Sequence, residues 1–171
     1  MGSSTRRLTR TGLLAAAAVV LFIFEGLAPR PLPWMKLGLG NLPVMLALMS
    51  YGTLAALSVS VLKLFIGGLL SGSLANPAFF IGAGAGMCSW SVMSAARSMG
   101  GAMFSAVGLG IWGAVTHQLA QLALAYLYVG QWGIWSLLPV GLLGGLISGI
   151  LIGLLAHWVH NRSTWQVKPS K

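Results

Sequence analysis

The sequence predicts an all-α integral membrane protein: a bundle of six transmembrane helices with both termini in the cytoplasm. Three observations lead there. Only 6% of the 171 residues are charged and 57% are apolar, whereas soluble domains carry about a quarter charged residues. A chain so poor in charge cannot cover itself with a water-facing surface. Its apolar residues fall into long runs broken by Pro, Gly and basic residues. Ten Lys and Arg stand against one acidic residue, Glu25, and the basic residues collect at segment ends, where positive charge orients membrane proteins.

The first span is expected from about Thr11 to Ala28. Arg6, Arg7 and Arg10 followed by the apolar run Leu13 to Phe24 look like a signal peptide. The run closes on Glu25-Gly26-Leu27-Ala28-Pro29 without a small-x-small cleavage pattern, so a retained first helix is the expectation. Pro29 to Lys36 holds too many prolines for a helix. Leu37 to Gly72 would then make one helix of roughly 54 Å, against a hydrocarbon core of about 30 Å. A turn is required, and Ser50-Tyr51-Gly52-Thr53 supplies it. That leaves a short second span, Leu37 to Met49, and a third, Leu54 to Leu70.

Ser71 to Pro77 reads as a loop of turn residues. A fourth span covers about Ala78 to Ala96 and stops at Arg97, a fifth Ala106 to Val129, and a sixth Leu137 to Val159. Six spans put both ends on one side. The positive-inside rule makes that side the cytoplasm, since Arg6, Arg7, Arg10, Arg97, Arg162, Lys168 and Lys171 fall there. A five-span count would send the C-terminal basic cluster outside. Residues 1–10 are thus expected as a basic cytoplasmic N-terminus, 11–159 as the six-helix domain of an inner, cytoplasmic membrane protein, and 160–171 as a basic cytoplasmic tail.

Composition also limits chemistry. With no aspartate and one glutamate, the chain cannot form a paired acid and base, an acidic metal cage or an aspartate cluster for magnesium diphosphate. It is not expected to be an enzyme on its own. A nucleic-acid binder would need a continuous basic stripe, which the scattered charges do not form. Cys88 is the single cysteine and reads as a small hydrophobe. No metal site, nucleotide motif or cofactor is expected.

Six residues are candidates for a ligand path or pocket: Glu25, Lys36, Asn41, Lys63, His117 and Gln121. Glu25 lies roughly 24 Å along the first span, either fixing the Pro-rich connector or forming the polar end of a pocket. Lys63 lies about 13 Å into the third span. A central lysine costs about 3 kcal/mol to insert, so it should face the interior, toward a ligand or an interhelical partner. Lys36-Leu37-Gly38-Leu39-Gly40-Asn41 opens a short Gly/Pro-interrupted segment, a pattern that points to transporter binding sites. His117 and Gln121 share a helical face and suit either a polar ligand or interhelical hydrogen bonds. Gly141, Gly145, Gly149 and Gly153 recur every four residues, a helix-packing ladder whose partner is an internal helix or another subunit.

Taken together, Glu25 with its proline-broken connector, the Lys36-to-Asn41 motif, Lys63 within Val61-Leu62-Lys63-Leu64-Phe65, His117-Gln118-Leu119-Ala120-Gln121 and the terminal Gly ladder carry a likeness. From about Glu25 to Ala156 the chain resembles the Gx transporter family, also known as heptaprenyl diphosphate synthase component I. Gln118 replaces an expected Asn, Gly40 an Ala and Lys63 an Arg. The resemblance implies a fold like the substrate-binding S component of an energy-coupling-factor transporter. Such a protein captures a vitamin, redox cofactor or isoprenoid-related precursor and depends on a separate ATPase and coupling module.

The synthase name implies a non-catalytic membrane component beside a soluble synthase subunit, or a quinone-pathway complex. Expected partners are therefore the lipid bilayer, a small-molecule ligand and one of these modules, with no nucleic acid. A closed polar pocket would favour transport. An apolar groove leading to a basic rim would favour the synthase component, and a solid Gly-packed bundle would favour a scaffold.

Overall fold

Proline, glycine and polar caps cut the chain into six α-helices in the computed structural model, which describes residues 3–27, 38–100 and 104–162. The first helix, α1, spans Ser3–Leu27, so Arg6, Arg7 and Arg10 share one helix with the apolar run that follows them. After the connector, which lies outside the described residues, a 3₁₀ turn at Leu39–Asn41 feeds α2, Leu42–Tyr51. Pro43 fits the first turn of α2, where its missing N–H removes nothing.

Gly52, at φ 88, ends α2 and starts α3, Thr53–Leu70, placing the expected turn where a left-handed residue permits it. Asn76 Oδ1 accepts from Ala78 N–H at 2.9 Å at the head of α4, Pro77–Gly100. Ser105 caps α5, Ala106–Val129, by accepting from Gly108 N–H at 3.0 Å. A 3₁₀ segment, Trp132–Leu137, leads into α6, Leu138–Arg162.

Six helices do not make six membrane crossings. Among the described residues, four stretches are long and apolar enough to cross: Ser4–Leu27, Thr53–Leu70, Pro77–Gly100 and Trp132–Arg162. α2 has ten residues, rising about 15 Å, half of the hydrocarbon thickness. α5 equals α4 in length, 24 residues each, but His117, Gln118 and Gln121 dilute its apolar character. The expected six-transmembrane-helix bundle is therefore corrected to an all-α six-helix bundle in which four helices have spanning length and apolarity. The expectation that both termini are cytoplasmic was tied to six crossings, and the four spanning helices do not fix which side either terminus takes.

α2 is the core of the molecule. Pro43 to Leu48 and Tyr51 are all buried, so it is apolar all round, as expected of an enclosed helix. α1 and α3 pack against it on one side and α6 on the other, while α4 and α5 extend the α6 side. The Phe22 ring of α1 lies over Gly67 of α3, where a Cβ would come within 2.6 Å of it.

The α5–α6 seam is tighter still. A Cβ on Gly149 would sit 2.7 Å from Gly110 O and 3.0 Å from Ala114 Cβ. One on Gly153 would sit 2.5 Å from Val107 Cα, and one on Gly145 2.9 Å from Gln118 Cγ. The nearest groups to Gly141 are 4.0 Å away. Three rungs of the glycine ladder thus face the backbone or a buried side chain of α5.

One end of the bundle gathers several helix ends. Arg7 donates to Tyr51 O at 2.5 Å, Ser50 Oγ lies 3.2 Å from His160 Nδ1, and His160 sits in the field of Arg97 and His157. The start of α1, the end of α2 and the ends of α4 and α6 therefore meet there.

Gly149→Ala should lower stability by about 1–3 kcal/mol, because its methyl meets α5 backbone that cannot rotate away. Gly141→Ala should change it little. Thermal unfolding in mild detergent checks both, and equal effects would contradict this account of the seam.

Candidate functional site

Within the bundle the chain starts a helix at a turn that is half-buried or buried. Gly38, at φ 77, turns the backbone into the 3₁₀ segment, and Asn41 N–H closes it by donating to Gly38 O at 2.8 Å. The first N–H groups of a helix have no intrahelical acceptor. Left buried and unpaired, each orphan is costly. Glu25, 6% exposed, meets this need from the last turns of α1. Leu39 N–H donates to its Oε1 at 2.8 Å and Gly40 N–H to its Oε2 at 3.2 Å. An anion at a helix N-terminus is also favoured by the backbone dipole.

Lys63 completes the knot. Its ammonium, on a side chain 5% exposed, donates to Asn41 Oδ1 at 2.6 Å, a short charge-assisted bond. Its stem runs past Gly40, where a Cβ would lie 3.5 Å from Lys63 Cδ and from the Phe22 backbone. That is ordinary contact, so alanine fits at Gly40. Glu25, Asn41 and Lys63 are therefore brought together around one turn of backbone.

The remaining candidates lie elsewhere. His117 and Gln121 are half-buried on α5, which packs between α4 and α6. Lys36 lies outside the described residues. Sequence reasoning passed over Gln118, which is buried against Gly145. It also passed over Ser89 and Ser148, which with Asn41, Gly38 and Met45 border a cavity of about 30 Å³. That volume suits a single water. Sites for vitamin-sized molecules run to about 300–1,000 Å³.

At the basic end, Leu154, Leu155, His157, Trp158, Asn161 and Arg162 form an open patch on the outer face of α6. The Arg162 guanidinium stacks 4.7 Å from the Trp158 ring centroid, and Asn161 Nδ2 lies 3.0 Å from His157 Nε2. Arg162 stood out in the sequence as a basic residue at a segment end. His157 and Asn161 did not, because a lone His-x-x-x-Asn spacing carries no specific signal.

Among the described residues no group of three or more His, Cys, Asp or Glu is placed to hold a metal ion, and the one carboxylate is engaged with backbone.

Glu25→Gln should cost about 1–3 kcal/mol, since a neutral amide cannot accept from both N–H groups as the carboxylate does. Lys63→Met should cost a similar amount. The double variant should lose less than the sum, because both side chains serve the same turn. Gly40→Ala should be neutral or slightly stabilising. Unfolding midpoints in detergent measure all four, and strict additivity would separate Glu25 from Lys63.

A family model described as Heptaprenyl diphosphate synthase component I matches residues 14–159. No curated protein and no solved structure matches the chain. The match bears on the synthase-component side of the sequence resemblance; no finding bears on its transporter side. Since it spans most of the sequence and all six helices, the chain belongs to the heptaprenyl diphosphate synthase component I family.

Proposed function

We propose that this protein is the non-catalytic membrane component of a prenyl diphosphate synthase, docking a soluble catalytic partner at the bilayer. The observation that carries the reading is the family match over residues 14–159 in a chain whose single carboxylate is committed to backbone. Prenyl elongation requires clustered carboxylates to hold magnesium diphosphate. Those must come from another polypeptide. What this chain can offer is a membrane address, a long apolar surface and a basic end.

The charge at that end supports the same reading. Arg7, Arg97, His157, His160 and Arg162 converge there, a concentration of positive charge that suits an acidic face on a soluble partner. A soluble partner would therefore meet this end, with the growing hydrocarbon chain released directly beside lipid. Capture of a vitamin-sized ligand within the bundle is less well supported, because the interior cavity holds about one water.

Reconstitution provides the test. The purified chain and a soluble polyprenyl diphosphate synthase subunit from the same source are combined in liposomes, with incorporation of labelled isopentenyl diphosphate measured. The expected result is long-chain product and membrane-bound catalytic subunit only when both are present. Product of the same length and yield from the soluble subunit alone, with no membrane recruitment, would contradict the proposal.

A further inference from the structure

We propose that the 3₁₀ segment Trp132–Leu137, between α5 and α6, is a docking surface for lipid headgroups on the side of the bilayer opposite the basic end. Trp132 and Tyr128 are the side chains that meet the lipid. The inference goes beyond the synthase reading and does not depend on it.

Position gives the first argument. The apolar stretch Trp132–Arg162 has 31 residues, well beyond the roughly 20 that a crossing needs, so it has length to spare at its ends. From Leu138, the first residue of α6, to Trp158 is twenty residues, a rise of about 30 Å that equals the hydrocarbon thickness. With Trp158 and its stacked Arg162 at one interface, the 3₁₀ segment that precedes α6 lies at the other.

Exposure gives the second. No residue of the segment is buried. Trp132 is 74% exposed and Tyr128 65%, beside exposed Leu127 and Val129. Water is a poor solvent for that apolar group, and hydrocarbon a poor one for an indole N–H and a phenol O–H. The headgroup layer accommodates both, which is why Trp and Tyr collect there. From Ala106 to Asn161 the chain has no Lys, Arg, Asp or Glu. No charge is therefore available to hold this end of the α5–α6 pair at an interface, and the aromatic side chains take that role.

Preorganisation is the third. Gly130, at φ 73, turns the chain out of α5. Ile134 N–H donates to Gln131 O at 3.2 Å, and Ser136 Oγ donates to Gly133 O at 2.6 Å, so the segment satisfies part of its own backbone in a poorly hydrated layer. The Trp132 ring stands edge-on to Tyr126, with centroids 5.6 Å apart and planes at 88°. Trp135 encloses its indole N–H and packs beside the same Tyr126 at 6.3 Å. Trp132 is thus the ring held outward, with little left to order when it meets lipid.

The test uses the full chain, labelled with fluorotryptophan, in phosphatidylcholine nanodiscs. Loss of a fluorine signal in Trp132→Phe and in Trp158→Phe identifies the two residues. Relaxation is then measured with nitroxide lipids labelled near the headgroup or near the chain end, and with a water-soluble relaxation agent. Trp132 should relax several-fold faster with the near-headgroup label than with either other probe. Trp132→Ala should shift the depth of Trp158, read in the same way, whereas Trp132→Tyr, which keeps an amphipathic ring, should leave it in place.

Dominant relaxation of Trp132 by the water-soluble agent would put the segment in solution, and dominance of the chain-end label would put it in hydrocarbon. Protection from all three probes would put it under another protein. Each of these results overturns the proposal, as does an unmoved Trp158 in Trp132→Ala. Product formation with a soluble subunit tests the synthase reading separately, and either reading can fail without the other.

Discussion

The structure depends on one carboxylate closing the start of a helix that begins inside the bundle. A helix that starts inside the bundle exposes N–H groups with no intrahelical acceptor, and Glu25 accepts from two of them, those of Leu39 and Gly40. With those donors engaged, α2 can be short and wholly enclosed. Lys63 balances the arrangement from α3 by holding the Asn41 side chain. Two charges that would each be costly in hydrocarbon are thus placed around a single turn, where backbone polarity and opposite sign offset the cost.

The rest of the packing follows from an enclosed α2. A ten-residue central helix leaves α1 and α3 on one side and α6 on the other, so these helices must approach closely to fill the space. Glycine is the means: Gly67 admits the Phe22 ring, and Gly110, Gly149 and Gly153 let α5 and α6 touch backbone to backbone. Among the described residues, close approach leaves a water-sized cavity beside Asn41, Ser89 and Ser148.

Much of this was legible in the sequence, for identifiable reasons. The shortage of charge dictated lipid as solvent, and Gly52 within a run too long for one helix dictated a turn. Lys63 was bound to face inward because its ends lay too far to reach. Glu25, Asn41 and Lys63 were each legible as polar groups in apolar runs, but their meeting around one turn depends on the path of the connector. The membrane count was misread for a physical reason. Apolar length reads alike in a helix that crosses lipid and in one that is enclosed by other helices, as α2 is. On α5 the shared face of His117 and Gln121 reads as a ligand face or an interhelical one, and that reading leaves out what these residues and Gln118 cost in lipid crossing. Ser89, Ser148 and His157 carry no spacing signal, and their neighbours come from distant parts of the chain.

Amide hydrogen exchange at Leu39 and Gly40, measured in nanodiscs for the native chain and for Glu25→Gln, tests the central claim most directly. Both amides should be strongly protected in the native chain, and the substitution should speed their exchange far more than that of Ala47 or Leu48 in the body of α2. Equal protection of Leu39 and Gly40 in the two proteins would contradict the account, because another acceptor would then be closing the start of the helix.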